Sequence, residues 1–282
     1  MSIKLYNETS FKISSQITKN YSTSFSLAIN VFNRELRDSI SSVYGFVRLA
    51  DEIVDSFHEF DKQNLLEELR EDFYNSVRNK ISINPVLNSF QITVRKYDIP
   101  LEYIHDFIES MKKDLSNSYY ERNDYDEYVY GSAEVVGLMC LKVFCYKNEK
   151  LFASLIPSAK ALGSAFQKVN FLRDIKSDLN ERGRIYFPGA CDESMISNLN
   201  KTELEKEIEI EFETAYAGIK KLPKSSRLGV YSAYLYYRIL FNKIKGLNVN
   251  ELFSRRVRIS NFTKFILLLK SIIRIKFTKA FE

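Results

Sequence analysis

The chain has 282 residues, 45% apolar and 27% charged, with a formal net charge of +5. That balance suits a folded protein with a substantial core and excludes a low-complexity or disordered chain. The modest positive charge is not gathered into one dense stripe, so no nucleic-acid partner is expected.

Apolar residues recurring at helical spacing predict helices over 10–20, 34–57, 63–80, 85–97 and 101–116. Further helices are predicted over 124–146, 149–179, 201–220, 223–245 and 262–278. Asn84 before Pro85 reads as a cap, Asp124 opens its segment, and Pro100, Pro157 and Pro223 sit near helix starts. Pro157 is alternatively a kink or a break. No alternating strand pattern is found, and five prolines and nine glycines leave room for long helices with short connections. The expectation is one all-α domain over 1–282 with a cavity between helices.

The three cysteines, Cys140, Cys145 and Cys191, lack C-x-x-C spacing, so neither a zinc site nor a disulfide framework is expected. His58 and His105 are the only histidines, and no motif builds a Ser-His-Asp triad on either. The stretch "MSIKLYNETSFKISSQ" does not read as a signal peptide, and no apolar run reaches the ~18 residues of a spanning helix. A cytoplasmic location is expected.

Two acidic files stand out. In "YGFVRLADEIVDSF", Asp51, Glu52 and Asp55 interrupt the apolar residues Val47, Leu49, Ile53 and Val54. In "FQKVNFLRDIKSDLNERGRIYFP", Asn170, Asp174 and Asp178 stand four residues apart, with Gln167 bordering the file. Four-residue spacing puts side chains on one helix face, where like charges repel. Each file alone also reads as a solvated stripe. Facing each other across a cavity, they would supply hard oxygen ligands to Mg²⁺, with Mn²⁺ as an alternative, and through the metal to a diphosphate. Arg48, Arg173, Arg182 and Arg184 lie close by in sequence, and a guanidinium fork matches phosphate oxygens.

"YSTSF", "YGFVRLADEIVD", "YGSAEVVGLM", "FQKVNFLRDIKSD" and "GRIYFP", in this order, resemble the squalene/phytoene synthase family of head-to-head trans-isoprenyl diphosphate synthases. A weaker match is "YYRILFNKIKGLNVNELFSRRVRIS". The resemblance implies an isoprenoid-synthase-type helical bundle around a central cavity. It implies that Asp51, Asp55, Asn170, Asp174 and Asp178 are metal ligands, with Glu52 where the family often has another Asp. It further implies that Ser22, Ser24, Arg48, Arg173, Tyr236 and Arg256 bind diphosphate, and that Tyr128 and Gln167 line the cavity. Arg184 and Tyr186 would belong to a loop over that cavity. Thr23 departs from relatives that carry a basic residue there. The segment "EVVGLMCLKVF" suits a hydrocarbon tunnel, and equally suits ordinary helix packing.

The implied substrates are prenyl diphosphates. The implied activity is condensation of two geranylgeranyl diphosphates to phytoene through a cyclopropylcarbinyl diphosphate, as in carotenoid biosynthesis. Farnesyl diphosphate giving dehydrosqualene or squalene is the alternative, and a non-catalytic assembly or binding factor is the alternative of another class. A phytoene synthase would not use NADPH. Finally, "NFTKFILLLKSIIRIKFTKAFE" has Phe262, Phe265, Ile266, Leu269, Ile272, Ile273 and Phe277 at helical spacing among Lys264, Lys270, Arg274, Lys276 and Lys279. This reads either as a last helix on the core or as a peripheral amphipathic helix docking on the inner face of the membrane.

Overall fold

The structure, a computed structural model, describes residues 2–277. Among them the chain is all-α, as expected. The exception to helical pairing is an isolated parallel bridge between Tyr119 and Ile185. In order the helices are α1 (Ile3–Tyr21), α2 (Thr23–Ile29), α3 (Arg34–Ser56), α4 (Lys62–Asn79), α5 (Pro85–Lys96) and α6 (Leu101–Ser116). Next come α7 (Arg122–Val129), a π-type turn (Tyr130–Glu134), α8 (Val135–Phe144) and α9 (Glu149–Arg182). A 3-10 turn (Glu193–Met195), α10 (Asn198–Ile219), α11 (Lys224–Lys245), α12 (Val249–Ser254) and α13 (Asn261–Phe277) complete the order.

Capping explains several boundaries. Asn33, Asn84 and Asn148 each accept a backbone N–H of the first helical turn, and Pro85 occupies the first turn of α5. Gly183 ends α9 at φ +67°, a left-handed conformation that glycine adopts without steric cost.

Four expectations need correction. The 124–146 segment is two helices joined by the π-type turn, and α7 begins at Arg122, so Asp124 lies in its first turn instead of opening it. Helix α1 begins at Ile3, ahead of the predicted start, and its first residues, mostly solvated, carry no apolar period that would reveal it. Helices α2 and α12, seven and six residues long, are too short to show one. Helix α9 runs 34 residues through Pro157 without a break. Pro157 and Ala153, whose carbonyl loses its usual donor, are both exposed, so water can replace the missing bond. Thr278 and Lys279 lie outside the described residues.

Two apolar cores flank the middle of the molecule. One packs Phe46, Phe73, Phe90 and Phe107 between α3, α4, α5 and α6, with Phe46 and Phe90 stacked at 4.3 Å. The other joins α9, α10, α11 and α12 around Phe171, Leu172, Phe212 and Phe241. The π-type turn and α8 tie them together by backbone contact with α9. A Cβ on Gly163 would sit 2.5 Å from the Ala133 carbonyl oxygen, and one on Gly137 would sit 2.7 Å from that of Ala159. Between the cores lies a cavity of about 840 Å³ lined from α2, α3, α8, α9, α11 and the segment 256–264.

Candidate active site

Helix α3 buries Phe46, Ala50 and Ile53 in the first core, which turns Tyr44, Arg48, Asp51 and Asp55 toward the cavity. Helix α9 buries Val169, Leu172 and Ile175 in the second, which turns Phe166, Gln167, Asn170, Arg173, Asp174 and Asp178 toward the same space. The two acidic files therefore do face each other.

One guanidinium connects them. Arg182 Nη1 donates to Asp178 Oδ1 at 2.6 Å, and its Nε lies 3.3 Å from Asp55 Oδ2. Arg184 Nη1 donates to Asp55 Oδ1 at 2.8 Å. Asp174 is held by Arg173 Nε at 2.9 Å and Arg256 Nε at 2.7 Å. Arg48 forms an ion pair with Glu52 and approaches Asp51 Oδ2 at 3.8 Å. Glu52 is thus committed to Arg48 and does not line the cavity.

These surroundings divide the carboxylates. Burial, reinforced by the Asp55 charge, pushes Asp51 up to about 7. Burial also pushes Asp178 up to about 7, against the opposing pull of Arg182. Asp174 is half-buried, and there Arg173 and Arg256 together overcome the loss of solvent and hold it below the usual carboxylate range.

Asp114, in "MKKDLSNSYY", escaped the sequence reading. It is buried on α6 and accepts hydrogen bonds from three tyrosine hydroxyls: Tyr120 and Tyr186 at 2.8 Å each on Oδ1, and Tyr128 at 2.7 Å on Oδ2. Arg184 Nη1 stands 3.6 Å from Oδ2. Its signal was present: Asp114 continues the apolar stripe Ile104, Phe107, Ile108 and Met111 at helical spacing, so an acid sits on the buried face of α6. The rings it gathers form an aromatic wall, with Phe171 and Tyr186 stacked at 4.3 Å and Tyr128 and Tyr186 at 5.3 Å. Arg184 and Tyr186 are buried in the cavity wall itself.

The other singled-out residues also reach the cavity. Ser22, Ser24, Gln167, Tyr236 and Arg256 line it. Ser22 additionally caps α2 through the Phe25 N–H at 3.2 Å. The buried Tyr236 hydroxyl has no hydrogen-bond partner among the described residues. Tyr237, next to it in sequence, donates to Asn170 Oδ1 at 3.2 Å and stacks on Phe166 at 3.9 Å. Thr23 accepts a hydrogen bond from Lys264 of α13, so a basic group reaches that position from elsewhere in the chain.

The wall that α8 supplies is apolar. Val136, Gly137, Cys140, Leu141 and Phe144 line the cavity from one face of α8, whereas Val135, Leu138, Met139 and Val143 pack into the surrounding core.

The donor set fits a hard divalent ion that shares its ligands with a substrate. Among the described residues no three His, Cys, Asp or Glu side chains converge to hold a metal by themselves. Mg²⁺ does not need such a cage, since it binds through one or two carboxylates plus water and phosphate oxygens. Arginines neutralise the oxygens that would take part. The unpartnered Tyr236 hydroxyl is a further polar group available to a ligand.

Residues 18–191, more than half the chain, match the family model described as squalene/phytoene synthase. Phytoene synthase 1 of Zea mays is 29% identical over 276 residues, covering 90% of this chain and 65% of that protein. Phytoene synthase 2 of Solanum lycopersicum is 28% identical over 276 residues, covering 90% and 86%. The chain thus spans just under two thirds of the Zea mays relative. A crystal structure of a dehydrosqualene synthase superposes with a TM-score of 0.82 at 24% identity, covering 96% of this chain and 98% of that one. Squalene synthase HpnC from Alicyclobacillus acidocaldarius gives 0.73 at 21% identity, covering 86% and 95%. The two superpositions establish the isoprenoid-synthase-type fold, and the sequence match establishes more: the chain belongs to the squalene/phytoene synthase family.

Proposed function

We propose that the chain is a prenyltransferase that condenses two geranylgeranyl diphosphates head to head to phytoene. The observation that carries this reading is the pair of oxygen-ligand files facing each other across a cavity that α8 lines with an apolar wall. Charged leaving groups belong between the files and hydrocarbon chains along that wall. The likeness to curated phytoene synthases supports the twenty-carbon substrate.

Asp51, Asp55, Asn170, Asp174 and Asp178 would hold Mg²⁺, which when bound neutralises diphosphate charge and assists its departure. Arg48, Arg173 and Arg256, with Ser22 and Ser24, would grip the diphosphate oxygens. Breaking the C1–O bond of one substrate releases diphosphate and leaves an allylic cation. The double bond of the second attacks it, and loss of a proton gives a cyclopropylcarbinyl diphosphate. Loss of the second diphosphate, rearrangement and loss of a second proton give the hydrocarbon. The closing step expels a proton, so no reductant is required. The faces of Tyr128, Phe171 and Tyr186 offer electron density to the cations, and the apolar wall keeps water from quenching them.

The test is incubation with Mg²⁺ and either geranylgeranyl or farnesyl diphosphate, with and without NADPH, followed by identification of the product. Phytoene from geranylgeranyl diphosphate without NADPH supports the reading. Dehydrosqualene or squalene from farnesyl diphosphate moves it to the shorter substrate, and no product from either points to a non-catalytic role.

A further inference from the structure

Helix α13 has two unlike sides. Lys264, Leu267 and Ser271 are buried where it packs on α11 and α2. On the opposite side Phe262, Phe265, Leu269 and Ile273 stand 73%, 53%, 44% and 58% exposed. Their spacing puts all four within one helix face, a continuous apolar strip facing solvent. A stripe of this kind on a soluble molecule marks a contact surface.

Charge identifies the partner. The segment 255–277 holds seven basic residues and no acidic one. Removing those seven from the chain's 41 basic residues leaves 34 against 36 acidic, so the segment carries the whole positive excess. Lys270 and Arg274 share one flank of the apolar strip, Arg274 also reaching the Tyr216 hydroxyl at 3.2 Å. Arg255 and Arg258, both exposed, lie just before the helix. An apolar centre with a basic margin fits the boundary of an anionic bilayer, where acyl chains take the rings and headgroups the cations. A second copy fits worse, because a two-fold contact would set this basic margin against itself.

Position gives the contact a use. Asn261 and Lys264, at the start of α13, line the cavity, as does the half-exposed Tyr21. We infer that α13 docks the chain on an anionic lipid surface with the cavity mouth beside the bilayer. No helix among the described residues is long and apolar enough to cross a membrane, so the contact is peripheral. Docking itself stands on exposure and charge. Its consequence, that amphiphilic substrate enters and hydrocarbon leaves through the lipid, rests on the proposed reaction.

The test is co-sedimentation of the full chain with vesicles of phosphatidylcholine alone or mixed with phosphatidylglycerol. The full chain should bind the mixed vesicles at low salt, bind phosphatidylcholine at least ~10-fold less, and release at about 0.5 M salt, where charges are screened within a few Å. The double variant Phe265→Ser, Leu269→Ser and the single variant Lys270→Glu should each bind the mixed vesicles at least ~10-fold less. None of the three residues lines the cavity, so thermal midpoint and turnover on detergent-dispersed substrate should stay at the parent level. Failure of the parent to bind mixed vesicles at low salt, or unchanged binding by both variants, would overturn docking. So would a dimer in light scattering that Phe265→Ser, Leu269→Ser splits, since the face would then belong to a second copy. Each of these results leaves the turnover assay, and with it the proposed reaction, standing or falling separately.

Discussion

Asp51 and Asp174 are both half-buried carboxylates on the cavity wall, yet their surroundings oppose each other. Asp174 sits between two guanidinium groups, whereas Asp51 has Asp55 as its strongest charged neighbour. Asn at either position should cut turnover at least ~100-fold if ionisation is the main barrier. The two variants should differ in stability. Asp51→Asn relieves burial of a charge and should hold or raise the thermal midpoint of the metal-free protein at pH 8. Asp174→Asn strands Arg173 and Arg256 and should lower it. Unfolding curves beside Mg²⁺-saturated kinetics check both, and near-normal turnover in both variants would remove the two-file site. A pH dependence follows as well. Folded values of about 7 for Asp51 and Asp178 lie above the ordinary carboxylate range. Their contribution to stability is therefore complete below the unfolded carboxylate range and is lost as pH rises through about 7. The metal-free protein should lose stability over that interval, and less steeply as Asp51→Asn. Added Mg²⁺, which requires ionised ligands, should stabilise the protein increasingly over the same interval. A Mg²⁺ shift that shrinks with rising pH would contradict this. For Arg48, a non-hydrolysable prenyl diphosphate analogue should raise the midpoint of the parent more than that of Arg48→Ala. Equal shifts would make Arg48 a partner of Glu52 alone.

At the scale of the element, helices long enough to repeat an apolar stripe were legible from sequence, and the short or irregular ones were not. Helices α3, α5, α6 and α11 lie close to their predicted bounds because each buries one face in a core. Helix α2 carries Ser24 to the cavity in seven residues, fewer than two repeats of a stripe. The π-type turn at Tyr130–Glu134 has no periodic signature, since it follows from packing. This turn and α8 after it both rest on α9 with backbone against backbone. Gly163→Ala would force a methyl to within 2.5 Å of the Ala133 carbonyl oxygen. It should cost ~1–3 kcal/mol of stability and lower turnover by displacing α9 and the acids it carries. A variant as stable as the parent would show that α9 can slide without cost.

Across the whole molecule, the candidate site was legible where a residue's neighbours along one helix announced it. It was illegible where neighbours came from other helices. The two acidic files were readable because four-residue spacing is local. The bridging role of Arg182, the approach of Lys264 to Thr23 and the three hydroxyls on Asp114 depend on how α9 meets α3, how α13 meets α2, and how α7 and the loops carrying Tyr120 and Tyr186 meet α6, which no single stretch records. The central claim is that this assembly spends two diphosphates on each hydrocarbon it releases. The measurement that tests it most directly counts diphosphate released against hydrocarbon formed from geranylgeranyl diphosphate with Mg²⁺. Head-to-head condensation predicts two diphosphates for every C40 hydrocarbon, and loss of both in Asp51→Asn. One diphosphate per condensation, with a longer prenyl diphosphate as product, would contradict it.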